Sequence, residues 1–162
     1  VLIAVRPWPS FADSEIVRAA DLLMAEDYDV LLLPFQKNVD ENLANRINNK
    51  LAKQCRILPY SGPLQLYGEI ASADFLVGMR LHSLIMAKGA GTACAAISYD
   101  PKIDSFAKRE HIEVLGTAES IKAEDIVNAV KAGCSRTEEK QDYSAEWKKI
   151  LQKISEIYNR SL

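Results

Sequence analysis

Two rhythms alternate along the chain. Apolar-rich runs that read as strands occur at VLIAVR (1–6), DVLLLPF (29–35), CRIL (55–58), FLVG (75–78), ACAAIS (93–98) and IEVLG (112–116). The first is continuously apolar, which is what a strand buried on both faces looks like. Between them the apolar residues fall at helical spacing. From Ser14 the positions are Ile16, Val17, Ala20, Leu23 and Met24, and from about Asp40 they are Leu43, Ile47 and Leu51. Pro63 and Pro101 suit the first position of a helix. Leu84, Ile85 and Met86 follow the fourth run, and a further helix is expected from Ser120 to about Ala132. Strand-then-helix repetition predicts an α/β fold, a Rossmann-like parallel sheet of about six strands with helices on both faces.

The stretch CSRTEEKQDYS (134–144) is polar and reads as a loop. A last helix is expected over about 144–160, with Trp147, Ile150, Leu151, Ile154 and Tyr158 on one face. The domain reading is therefore 1–142 for the Rossmann-like unit and 143–162 for a terminal helix, packed on this unit or toward a neighbouring one. The first residue already lies in a strand pattern and is not Met, so a piece of a longer polypeptide is expected.

The chain has 162 residues, 48% of them hydrophobic and 26% charged, with a formal net charge of −2. That length suits one domain with a full core. The charge gives no general attraction to nucleic acid or anionic lipid, so a basic site has to be local. The apolar runs are much shorter than the ~20 residues of a membrane span. No secretory signal is visible around VLIAVR, and the expected location is cytoplasmic, with access to the inner face of the membrane. Cys55, Cys94 and Cys134 are scattered and read as reduced thiols. With two histidines in the chain, no metal site is expected. Neither GxGxxG after the first strand nor GxxxxGK[ST] is present, so a dinucleotide site and a P-loop are both unsupported.

In parallel sheets ligands bind beyond the carboxyl ends of the strands, so the residues just after each apolar run carry the most information. They are Arg6 and Trp8, Gln36 and Asp40, Tyr60 to Gly62, Gly78 with Arg80 and His82, and Tyr99, Asp100 and Lys102. Two arginines, a lysine and a histidine on one edge of a slightly acidic chain suit an anionic small molecule. Residues 79–82 begin a helix, and its free N–H groups attract anions. Arg80 offers a planar fork for carboxylate or phosphate, and His82 a group that titrates near neutrality. Each residue also has a plainer reading. Arg80 can tie loops together, His82 can be a satisfied, partly buried histidine, Arg6 and Lys102 can be surface charges, and Trp8 can be packing. Neither Arg80 nor His82 is expected to belong to the core.

GMRLHSLIMAKGAG (78–91) followed by AISYDPKIDSF (96–106) resembles the polysaccharide pyruvyl transferase family, in the form that modifies a bacterial secondary cell-wall polysaccharide. RLHSLI and ISYDPKI carry most of the likeness, and VRPW (5–8) and LLPFQ (32–36) agree with it. The resemblance implies one half of a glycosyltransferase-B type enzyme, the C-terminal of two Rossmann-like domains facing a cleft. It implies phosphoenolpyruvate as donor substrate, no further cofactor, and a lipid-linked saccharide as acceptor, with N-acetylmannosamine as the sugar that becomes a pyruvate ketal. The ketal's carboxylate would anchor surface-layer proteins. Carried over by motif, His82 is the catalytic residue, and Arg6, Arg80, Tyr99 and Lys102 bind substrate. The partners implied are the acceptor and an N-terminal domain, without nucleic acid. Alone, the 162 residues are expected to be inactive. The alternatives are a nucleotide-sugar glycosyltransferase or epimerase domain, for which Glu69 would hold the ribose, and a non-catalytic domain that keeps the fold.

Overall fold

A computed structural model describes residues 1–135. Six strands and six helices alternate: β1 Leu2–Ala4, α1 Asp13–Ala25, β2 Leu31–Leu32, α2 Val39–Asn48, β3 Arg56–Ile57, α3 Pro63–Ser72, β4 Phe75–Gly78, α4 Leu81–Ala90, β5 Ala93–Ser98, α5 Pro101–Glu110, β6 Glu113–Thr117 and α6 Ala123–Cys134. Every pairing is parallel and the strand order is β3-β2-β1-β4-β5-β6. The α/β, Rossmann-like expectation is therefore met. The expected terminal helix and Trp147 lie outside the described residues.

β1 and β4, inside the sheet, are buried on both faces, whereas the edge strands β3 and β6 leave Arg56, Glu113 and Val114 exposed. Val1, Ile3 and Val5 join one core with α1, α2 and α6, while Leu2 and Ala4 join the other with α3, α4 and α5. This alternation is the two-residue period of a strand. Gly133 of α6 lies so close to β4 that a Cβ there would come within 2.1 Å of the Phe75 ring. A side chain at 133 would push α6 off the sheet.

The order reverses direction between β1 and β4. Chain segments leaving these two neighbouring strands turn to opposite faces, α1 to one and α4 to the other. Such a switch point opens a crevice at the carboxyl edge. The register pairs Ala4 with Gly78, so Arg6 and Arg80 each stand two residues beyond the same rung.

Candidate functional site

The junction between β4 and α4 is built around Gly78. A Cβ at this position would come within 2.7 Å of both Leu84 Cδ2 and Ser83 Oγ. The glycine therefore lets the first turn of the helix fold back directly onto the strand end. Met79 still donates its N–H to Ala4 O at 2.8 Å. Arg80 is the residue that opens α4, extended at φ −94° and ψ 130°, and no side chain among the described residues caps the helix. The Ser83 hydroxyl turns back to donate to Arg80 O at 2.7 Å. The leading N–H groups of α4 thus lack a side-chain acceptor at the switch crevice, where the helix dipole is positive. His82, at the second position of the helix, is exposed.

Arg80 does not turn its whole fork outward, as its residue type suggested. Its Nε donates to Asp40 Oδ2 at 2.6 Å, and its Nη2 donates to Asp40 Oδ1 at 2.5 Å and to Gln36 Oε1 at 3.1 Å. Asp40, in the first turn of α2, is buried, and it also accepts the Phe35 N–H at 3.0 Å. The Arg80 side chain itself is 15% exposed. Arg80 is therefore a partner of the core's edge and not a surface residue. The pair links α2 on one face of the sheet to α4 on the other, passing the end of β1.

Arg6 is held differently. Its Nη1 donates to the Tyr99 hydroxyl at 2.9 Å. Its guanidinium carbon lies 4.8 Å from the Tyr99 ring centre and 5.6 Å from that of Trp8. The two rings touch, with centroids 4.6 Å apart at 50°. Aromatic faces attract the cation without neutralising it. Arg6 Nε is buried and has no hydrogen-bond partner among the described residues. A buried N–H on a cation without an acceptor is costly, and native structures rarely leave one.

Tyr99 ends β5 and reaches back to Arg6. Asp100 opens α5, and its carboxylate accepts the Lys102 N–H at 2.8 Å. The side chain of Lys102 is exposed. All five expected site residues thus stand at the carboxyl edge, three of them in contact with named partners. Glu69 does not. It sits six residues into α3, about 9 Å along the helix from the edge at the usual rise, away from any ribose placed at the crevice. Among the described residues no group of three His, Cys, Asp or Glu side chains is placed to hold a metal ion. No helix there is long and apolar enough to cross a membrane. Burial raises the Cys94 thiol to about 11, so it is no nucleophile near neutral pH.

A family model described as polysaccharide pyruvyl transferase matches residues 3–101. The chain belongs to the polysaccharide pyruvyl transferase family. The matched stretch runs from β1 to the first residue of α5, and so contains Arg6, Arg80, His82 and Tyr99 and stops one residue short of Lys102. No curated protein matches the chain. Membership of this family points to a transferase, and the crevice between β1 and β4 is where such a fold receives its ligand.

The sequence did not disclose Asp40 as the partner of Arg80. It stood among the edge residues, but an acidic residue in a first helical turn ordinarily reads as a solvated complement to the helix dipole. Nothing in the local pattern marks it as buried.

Proposed function

We propose that this domain binds phosphoenolpyruvate at the β1/β4 crevice and serves as the donor half of an enzyme that forms a pyruvate ketal on a cell-wall polysaccharide sugar. The observation that carries the reading is the buried Nε of Arg6, beside a helix N-terminus, neither of which has a side-chain partner among the described residues. Both ask for an anion. Phosphoenolpyruvate brings a carboxylate and a phosphate, which suits two separate positive features.

The chemistry follows from the same groups. Two hydroxyls of one sugar replace the phosphate on the donor's central carbon. A proton adds to the methylene carbon, which becomes the methyl group, and an oxocarbenium-like centre develops. The two C–O bonds to the sugar form and the C–O bond to phosphate breaks. The diol supplies two protons overall, one ending on the methyl group and one on the departing phosphate. His82, exposed at the second position of α4, acts on one of these protons, or stabilises the phosphate as it leaves. Arg6, the remaining Nη1 of Arg80 and the α4 amide groups hold the anion, and Lys102 adds charge at the outer rim. The acceptor, a lipid-linked saccharide bearing N-acetylmannosamine, would approach from the facing N-terminal domain of a glycosyltransferase-B type cleft. That places the work in the cytoplasm, where lipid-linked intermediates meet the inner membrane face.

The test is phosphate release by the full-length enzyme supplied with phosphoenolpyruvate and a lipid-linked N-acetylmannosaminyl acceptor. His82→Ala should cut turnover by about 10²–10⁴-fold with donor affinity changed much less. Unchanged turnover in this variant would remove the histidine from the mechanism. Absence of phosphate release by the parent enzyme would remove the donor assignment.

A further inference from the structure

Asp40 is a carboxylate buried at the edge of the core, and its bonds lead to the site and not away from it. It holds Nε and Nη2 of Arg80 at 2.6 and 2.5 Å and is itself fixed by the Phe35 N–H at 3.0 Å. Gln36 takes a second bond from Nη2 at 3.1 Å. Arg80 in turn is the residue that opens α4, two positions from His82. One edge of the guanidinium is therefore immobilised, and the remaining nitrogen, Nη1, forms no hydrogen bond among the described residues. The planar fork is rigid, so fixing one edge fixes the direction of the other. The pair also spans the end of β1 from the β2 side, which is the strand that delivers Arg6.

We propose that Asp40 is a positioning residue for the donor anion: it sets the Arg80 guanidinium so that Nη1 alone meets phosphoenolpyruvate, and its negative charge lowers the positive charge of the edge. The inference rests on the reading of the crevice as a phosphoenolpyruvate site. It makes Asp40 act on two quantities in opposite senses. Removing its charge frees the guanidinium to turn, which harms the reacting geometry. The same change leaves the edge more positive, which favours a multiply charged anion. A carboxylate that merely stapled α2 to α4 would change the folded fraction and neither quantity per folded molecule.

Asp40→Asn in the full-length enzyme separates these roles, because asparagine keeps the size and one acceptor oxygen. Turnover is read as phosphate release and normalised to the folded fraction from circular dichroism at the assay temperature. We expect kcat per folded molecule to fall by at least about tenfold, since misplacement by about 1 Å can cost on the order of a hundredfold. The KM for phosphoenolpyruvate should not rise. A kcat per folded molecule within tenfold of the parent, or a KM that rises, overturns the proposal. If asparagine at 40 prevents folding, Asp40→Glu keeps the charge and the pair but displaces the guanidinium by one methylene. It should then show the same loss of kcat with KM within about twofold, by the same geometric argument, and parental kcat would overturn the idea. An inactive parent enzyme would contradict the donor site itself, whereas an active parent with a parent-like Asp40 variant contradicts only the role of Asp40.

Discussion

Arg6 and Arg80 stand two residues beyond the same rung of neighbouring strands, yet they have opposite surroundings. Arg80 reaches past the end of β1 to a buried carboxylate that meets it with two oxygens. Arg6 reaches past β4 in the other direction, to the ring and hydroxyl of Tyr99 after β5, and its Nε has no partner among the described residues. One cation is largely satisfied by the protein. The other is oriented by aromatic rings and left charged. The difference teaches that a basic residue at a strand end takes its role from what the sheet order sets beside it, and not from its charge.

The largest expected effect is on stability, and it falls on one arginine. Arg80→Ala leaves Asp40 buried without its counter-charge, which should cost about 3 kcal/mol or more. Arg6→Met keeps an apolar stem against Trp8 and Tyr99 and removes an unsatisfied N–H, so its cost should stay within about 1 kcal/mol. Urea unfolding followed by circular dichroism measures both, and equal midpoints would erase the distinction. Donor binding should show the reverse emphasis. Arg6→Met should weaken phosphoenolpyruvate binding by roughly 1.5–3 kcal/mol, about ten- to a hundredfold, by calorimetric titration of the full-length enzyme.

A shared background sharpens the contrast. The Cys94 thiol is raised from 9.0 to about 11 by burial, so the folded state holds its proton more tightly than the unfolded chain does. Stability from this source is fully present below about pH 9 and is lost as the pH rises toward 11, by something on the order of 2 kcal/mol. Cys94 lies near the amino end of β5, opposite the arginines, so this alkaline loss should be the same in both arginine variants. A loss that differed between them would mean the two edges are coupled. The smallest effect is that of Tyr99→Phe. It deletes the 2.9 Å bond from Arg6 Nη1 and keeps the ring, and should weaken donor binding by about 0.5–1.5 kcal/mol. No change at all would mean that the ring alone orients Arg6.

Much of this fold is legible in the amino-acid order. Each apolar run became a strand, and Pro63 and Pro101 begin α3 and α5 as their fixed φ favours. The edge residues were legible too, since the end of an apolar run marks the end of a strand. Their pairing was not. Whether Arg80 meets Asp40 or an open crevice depends on β1 lying between β2 and β4, and a run of apolar residues says nothing about which strand lies beside it. The cost of this shows in Arg80, expected to be dispensable for folding and found with a buried carboxylate as its partner. The strands also proved shorter than their runs. β2 ends at Leu32 although the apolar run continues to Phe35, since Pro34 has no N–H to donate.

The division of labour between the arginines is tested most directly by the side-chain Nε–H signals of Arg6 and Arg80 in the parent full-length enzyme, observed by nitrogen-15 nuclear magnetic resonance during titration with phosphoenolpyruvate. The Arg80 Nε–H should be protected from exchange before any donor is added and should stay nearly unmoved. The Arg6 Nε–H should shift and gain protection as the donor saturates. A donor that moves the Arg80 Nε–H and leaves that of Arg6 unchanged would contradict the account, because the buried Arg6 Nε would then take no part in binding and the edge of Arg80 held by Asp40 would not be fixed.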